Sequence, residues 1–500
     1  MMDRRVDVVV LGSGFAGSLA AAILAKQGRK VCLLERGRHP RFAIGESSTP
    51  LADFKLHELT QRYDLPDLAA LCRYGTWMAK CPQAMRGVKR GFAYFAHHAG
   101  ATFETDDCHH NELLVTANSS LEQSDTHWLR SDVDEYFVKQ AVAAGVDYLD
   151  ETSLVDSESA AGMKLRCVRA GSPFTIETRF LIVASGNPQI WQQAITIPTT
   201  RIVPRTCTRS VFAHFAAVQP WRELMDELGF ATGDHPFDCD QSALHHVFDG
   251  GWMWQLRFDD QTVSAGFLID NHRHPKVNGL SPQQDWQSWI DRFPSIAKQF
   301  AKAVIVRPVT GLQQIDPLQQ PLRQIAGSHW ALLPAAVGFS DPLFSTGIGH
   351  SLFGVEHLVD ALAQLDHPSR LNQSLAAYSQ RLSKELDLID RLVSLAYRAS
   401  ASFTNYIVAA MPYFAAATSC ERAARSARQS NAHAFLLADD SKFLAALRTI
   451  EVAFEACSLA ASPAADLAFE DNVRQALMPF NQVGLLDRGS PRMYRYTAAR

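Results

Sequence analysis

The sequence predicts an α/β fold built around a parallel sheet, and three observations carry that expectation. The apolar run Val8-Val9-Val10-Leu11 ends in Gly12-Ser13-Gly14-Phe15-Ala16-Gly17, a short buried strand that turns through three glycines. Ser18 to Gln27 is a run of small and apolar residues that reads as a helix, and Lys30 to Leu34 reads as a second buried strand. That strand ends at Glu35, eighteen positions after Gly17. Strand, turn, helix, strand and acid stand in the order of a Rossmann-like dinucleotide cradle.

Each residue of the cradle has a physical task. Gly12 permits the tight turn, Gly14 lets a pyrophosphate approach the backbone at the helix N-terminus, and Gly17, beside Ala16, lets helix pack closely on strand. Glu35 is placed to accept hydrogen bonds from adenosine ribose hydroxyls. Glycine-rich turns that serve packing alone are common, so the flanking order of elements, more than the glycines, carries the assignment.

Composition bounds the rest. A chain of 500 residues exceeds one ordinary core, and 47% hydrophobic against 20% charged residues suits large folded cores. A formal net charge of −4 with no long Lys/Arg run offers no basic face for nucleic acid. No stretch of about 18 apolar residues is present, so no membrane association is expected. The nine cysteines show no Cys-x-x-Cys pair and no zinc spacing; reduced thiols, a cytoplasmic location and no metal site are expected.

Further along, Arg179 to Ala184 reads as another buried strand and Trp330 to Pro334 as a third, followed by a loop-like stretch from Ala335 to Gly349. Gly87 to His97 and His245 to Phe258 alternate in the manner of a second sheet. From about Leu352 the pattern is helical and alanine-rich, with Tyr378 to Ala399 and Lys442 to Leu459 as the longest candidates. The expected organisation is a nucleotide-binding domain over 1–360, interleaved with substrate-side strands at about 85–130 and 205–310, and a helical C-terminal region over 361–500.

Two loops narrow the function. His39 to Pro50 contains Gly45-Glu46-Ser47-Ser48-Thr49-Pro50, and Gly338 to Gly349 reads Gly-Phe-Ser-Asp-Pro-Leu-Phe-Ser-Thr-Gly-Ile-Gly. With the glycine fingerprint, Glu35 and Arg130-Ser131-Asp132, the chain resembles the flavin-dependent halogenases, a branch of the flavoprotein monooxygenase superfamily. The resemblance implies FAD contacts at Ser47, Arg130, Asp341 and Ile348, and a halide site on the backbone amides of Thr346 and Gly347. Lys89 matches the family's active-site lysine, whose ammonium can hydrogen-bond hypohalous acid or carry the halogen as a haloamine; a solvated lysine beside Arg90 is the plain alternative. Gly251-Trp252-Met253-Trp254 matches the first half of the Trp-x-Trp-x-Ile-Pro signature, whose indoles separate substrate from flavin, although two tryptophans at this spacing are also common in plain cores.

The implied chemistry is a reaction of reduced FAD with oxygen, giving a hydroperoxide whose distal oxygen is attacked by chloride or bromide. The chain has no second glycine fingerprint for a nicotinamide cofactor, so a separate flavin reductase is implied. Phe344 stands where the tryptophan-halogenating branch carries a glutamate, and the resemblance is closer to the phenol and pyrrole branch. An electron-rich aromatic substrate follows, free or on a carrier protein. The chain departs from the signature at Gln255-Leu256-Arg257, where x-Ile-Pro is expected. Arg257 is read as lining the substrate pocket and pairing with a carboxylate or phosphate. The same departure leaves open a flavin monooxygenase that transfers oxygen directly to substrate, and, as a third class, a non-catalytic flavin-binding or carrier-docking module.

Overall fold

The computed structural model describes residues 4–159, 162–186, 191, 192, 194, 195, 200–426, 434–489 and 492–495. Its first sheet runs Ala326–Gly327, Trp330–Leu332, Ser172–Val183, Arg4–Leu11, Val31–Leu34, Asp147–Leu149, with a hairpin arm of Thr152–Ser159 and Met163–Arg169. Arg4–Leu11 pairs in parallel with Ser172–Val183 and Val31–Leu34. Both faces of this sheet are covered, which is why Val8, Val9 and Val10 form a continuous apolar run with no exposed surface. Burying each such side chain contributes on the order of 1.5–3 kcal/mol.

The helix Phe15–Lys26 is buried over most of its circumference and crosses the sheet closely. Gly12 has φ +108°, which favours glycine, and a Cβ on Gly17 would lie 2.1 Å from the Gly12 carbonyl oxygen. Both glycines are therefore required by the turn itself.

The second sheet has nine strands, ordered Val304–Arg307, Thr208–Ala216, Val263–Asp270, Gly251–Arg257, Ala243–Phe248, Gly91–Ala96, Glu112–Thr116, Met493–Tyr494, with Gln313–Ile315 beside Thr208–Ala216. Three helices, Trp221–Glu227, Pro282–Ile290 and Pro294–Gln299, lie within the stretch read as strands at 205–310.

The helices of the C-terminal half cover the second sheet. Leu388, Leu392 and Ala396 of Pro368–Ala399, and Tyr406, Ala410 and Phe414 of Phe403–Ser426, share one core with Trp252, Trp254 and Phe92. Among the described residues no helix is long and apolar enough to cross a membrane. All nine cysteines are free thiols.

Three local expectations need correction. The stretch Ala335 to Gly349 is not a plain loop: Pro334–Val337 is a helical turn, Pro342–Phe344 another, and the helix Thr346–Leu362 begins inside it. The prolines at the first position of both turns pre-set the helical φ and so start structure where the sequence looked irregular. The 24-residue helix Phe403–Ser426 lies within the stretch read as helical but was not among its longest candidates, and it continues through Pro412. The C-terminal part also ends in a strand, Met493–Tyr494, which pairs in parallel with Leu114 and Val115.

Candidate active site

At the start of the first helix, Gly14 is the N-cap and contributes no side-chain hydrogen bond. A Cβ there would point at Arg130 Nη2 (3.4 Å), Asp134 Oδ2 and Arg41 Nη2. Arg130 is held in place by its own neighbours: Nε donates to Asp134 at 2.9 Å, Nη1 donates to the Ile44 and Gly45 carbonyls, and the guanidinium lies 4.9 Å above the Phe15 ring. Two arginines and a helix N-terminus thus converge where the glycines leave room, an arrangement that suits a pyrophosphate.

Glu35 accepts from the Ser13 hydroxyl (2.8 Å) and the Gly37 amide (2.9 Å), and Arg41 stands 3.2 Å away. Burial alone would raise its pKa, but Arg41 and the donors from Gly37 and Ser13 hold it below the ordinary carboxylate range. Glu35 is therefore an anion at the end of its strand, the state in which it accepts from hydroxyls.

The other half of the site is drawn together from distant segments. Ser345 takes a left-handed conformation (φ 53°) and starts the helix Thr346–Leu362 without a side-chain cap, leaving the first-turn amides of Thr346, Gly347 and Ile348 as donors without intrahelical partners. A Cβ on Gly347 would meet nothing within 4 Å. The Ser345 hydroxyl donates to the Ser47 hydroxyl at 3.0 Å. The next residue, Ser48, accepts from Lys89 Nζ at 2.6 Å through its carbonyl. Consecutive residues Ser47 and Ser48 therefore join the helix start to the lysine.

Lys89 is fully buried, pairs across its two-stranded ribbon with Asp125, and sets its ammonium 4.0 Å over the Phe92 ring. Burial pushes the amine down to about 7, opposed by Asp125 and Asp53. Nearby His127 and His245 are pushed to about 3 by burial and are neutral. Beside Phe92 lies a cavity of about 20 Å³ lined by Pro50, Val115, Ala117, Tyr413, Phe414 and Glu421, among others. Phe344 stacks on Tyr413 with ring centroids 4.4 Å apart and planes 8° from parallel.

Fold and geometry invite comparison with known proteins. Residues 7–209 match the family model of the FAD binding domain. The chain is 30% identical over 413 residues to the tetracycline 7-halogenase of Kitasatospora aureofaciens, spanning 81% of this chain and 71% of that one. It belongs to the flavin-dependent halogenases. The halogenase is also 29% identical to the monodechloroaminopyrrolnitrin halogenase PrnC of Pseudomonas fluorescens, over 80% of this chain and 69% of the relative. Its fold superposes on halogenase PltM, solved with phloroglucinol and FAD, with a TM-score of 0.84, 23% identity and coverage of 98% and 99% of the two chains. The protein is accordingly an enzyme, an FAD-dependent oxidoreductase that uses a halide, and the open glycine cradle with its converging arginines fits that cofactor.

Within the halogenase, two residues do not stand as the sequence suggested. Asp341 gives its carboxylate to protein: it accepts from Thr208 Oγ1 (3.1 Å), the Tyr397 hydroxyl (2.9 Å) and the Leu343 amide (3.1 Å), and burial raises its pKa to about 6. Three of the roughly four acceptor positions of its carboxylate are thus taken up by protein donors. Arg257 does not face a substrate pocket; its guanidinium lies 3.5 Å from buried Asp240 and donates to the Val218 carbonyl. Asp240 in turn accepts from the amides of Trp221 and Arg222 at the start of the helix Trp221–Glu227. The charge that replaced the signature proline is neutralised inside the protein.

Trp252 and Trp254 do lie on one strand with ring centroids 6.3 Å apart, Trp252 donating to the Tyr397 hydroxyl and Trp254 to Ser264. Tyr397, Tyr413, Phe414 and Glu421 were missed from sequence. Glu421, with Ser419 and Arg422 close by, carries no local signal that sets it apart, and it is buried.

Proposed function

We propose that this halogenase places an electrophilic chlorine or bromine on an electron-rich ring, phenolic or pyrrolic, free or tethered to a carrier protein. Reduced FAD, when bound, supplies with oxygen the oxidising power that turns halide into that electrophile. The amides of Thr346 and Gly347 hold the halide, a weakly hydrated anion suited to backbone donors. Lys89 receives the halogenating species and directs it by hydrogen bonding, and Trp252 and Trp254 form the wall between flavin and substrate. A substrate ring reaching Phe92, Val115, Tyr413 and Phe414 has to open the cavity there, about 20 Å³ and room for roughly one water, and Glu421 beside it can accept a proton from a phenol or pyrrole N–H and so enrich the ring in electrons.

The observation that carries this reading is the link Lys89–Ser48–Ser47–Ser345, which sets a buried amine next to an uncapped helix N-terminus. We further assign residues 1–360 to interleaved FAD-binding and substrate-side parts, with 361–500 closing over the ring. A separate flavin reductase supplies the reduced cofactor, because the chain carries one glycine fingerprint only, and the free thiols suit a cytoplasmic enzyme. Mass spectrometry of products from a phenol and pyrrole panel, with FAD, a reductase and bromide, tests the reading. Brominated product that vanishes without bromide is expected; oxygenated product regardless of halide would make the protein a monooxygenase, and no turnover despite bound flavin would make it a binding module.

A further inference from the structure

The strongest cluster outside the flavin and lysine sites is made of His109, Glu112 and His235. One ligand atom from each lies within 4.8 Å of the others. Their side chains are 7%, 0% and 1% exposed. Glu112 Oε1 is 3.2 Å from His109 Nδ1, and Oε2 is 2.8 Å from His235 Nε2. Two imidazoles and a carboxylate thus face one point from two segments more than a hundred residues apart.

We propose that His109, Glu112 and His235 bind a divalent transition-metal cation of the zinc class. In a tetrahedral shell with bonds of roughly 2.0–2.2 Å, neighbouring donors stand roughly 3.3–3.5 Å apart. The two Glu112 separations, 2.8 and 3.2 Å, lie just below that span, and the three ligand atoms all stand within 4.8 Å of one another. His109 is the most telling ligand. Its Nε2 stands 2.8 Å from Asp234 Oδ2, which holds the proton on that nitrogen and turns the Nδ1 lone pair inward, the outer-sphere arrangement usual for a metal-bound histidine. Mixed nitrogen and oxygen donors select zinc and its first-row neighbours over magnesium or calcium.

The position gives the cation a structural task. Arg492 donates to the carbonyls of His109 and His110, and its own carbonyl accepts from the Leu114 amide. Glu112 opens the strand that carries Val115 to the cavity beside Lys89. Metal there would fasten the 105–112 loop, the 232–235 loop and the C-terminal strand to one edge of the substrate-side sheet. Cysteine spacing could not reveal this set, because it contains no cysteine.

The test uses the tag-free full chain, stripped with a chelator and then equilibrated with zinc chloride. About one zinc per chain is expected by elemental mass spectrometry, falling below about one-tenth in both Glu112→Gln and His235→Asn, together with a zinc-dependent rise in the wild-type melting temperature. Less than about one-tenth of a zinc per wild-type chain, or full zinc in both variants, would overturn the site. Should the variants fail to fold, cobalt-loaded wild type decides: visible bands of a tetrahedral nitrogen–oxygen site are expected. Absence of those bands, or a thiolate charge-transfer band that moves the metal to the neighbouring Asp238, Cys239 and Asp240 cluster, would refute it.

Discussion

The flavin side and the substrate side of this halogenase are built by opposite strategies. On the flavin side some contacts are short in sequence, Ser13 reaching Glu35 across 22 positions and Arg130 reaching Asp134 across four, and the longer ones, Arg130 to Ile44 across 86 and Phe15 to Asp134 across 119, stay within the early part of the chain. On the substrate side they are long: Trp252 reaches Tyr397 across 145 positions and Ser47 reaches Ser345 across 298. The first half is assembled from segments early in the chain, around turns that glycines specify. The second exists only once the two sheets and the helices after residue 345 have packed together. Changes on the flavin side should therefore act at one step, while changes on the substrate side should spread through packing.

The sharpest way to break that contrast is Gly14→Val. A branched side chain would crowd Arg130 and fill the space left for the pyrophosphate, so FAD affinity should fall on the order of 100-fold, a loss of about 2.7 kcal/mol. Flavin fluorescence titration reads this, and wild-type affinity in the variant would show that the cradle is not the flavin site.

Lys89→Met separates the two sides chemically. Oxidation of reduced FAD should continue while halogenated product drops at least about 100-fold, because the flavin steps do not use the amine. In the wild type the ammonium fraction declines as pH rises through about 7, so halogenation should decline there while flavin oxidation does not. Stability moves the other way. An unfolded lysine keeps its proton to about 10.5, so between about 7 and 10.5 the unfolded chain binds more protons than the folded one, and the fold gains stability as pH rises. Lys89→Met should lack that slope in melting curves; a persisting slope would place the titration elsewhere.

Arg257→Ala removes one partner of a buried pair and leaves Asp240 with only its helix-end donors. A loss of about 2–4 kcal/mol is expected, read by chemical denaturation, with the preference between neutral and anionic substrate analogues unchanged. A shifted preference would return Arg257 to the pocket.

The smallest effect belongs to Tyr397→Phe, which costs Asp341 one donor and leaves the Trp252 N–H without its acceptor, about 2 kcal/mol. Burial raises Asp341 to about 6, so the folded chain holds the extra proton between about 3.8 and 6 and the burden of the charged form is full only above that range. The difference in melting temperature between variant and wild type should thus be larger at pH 8 than at pH 4; an equal difference at both would detach Tyr397 from the carboxylate.

What could be read from the sequence follows the same division. Val8 to Gly17 and Glu35 were legible because strand period, glycine turn and acid lie within one continuous stretch. Lys89 and Thr346 were legible only through family resemblance, since nothing local tells a buried lysine from a solvated one. Arg257 misled because a charge in an apolar strand looks available until its partner, Asp240, is located in a separate segment. Tyr413 and Glu421 lie in a stretch read only as helical and alanine-rich, and nothing local to them shows that they meet Phe92 and Val115 of the second sheet. Asp341 was singled out through the loop that carries it, but its side-chain partners, Tyr397 and Thr208, depend on tertiary packing.

The pairing of Met493–Tyr494 with Leu114 and Val115 has a consequence in time. During synthesis the loop at His109 must wait for Arg492, 383 positions later, which at 5–20 residues per second is roughly 20–80 s. Throughout that interval the outer rim of Glu112–Thr116 is an open strand edge, the kind of surface that recruits foreign strands. A nascent chain therefore holds the segments of the cofactor cradle long before the strand that covers this rim has been made.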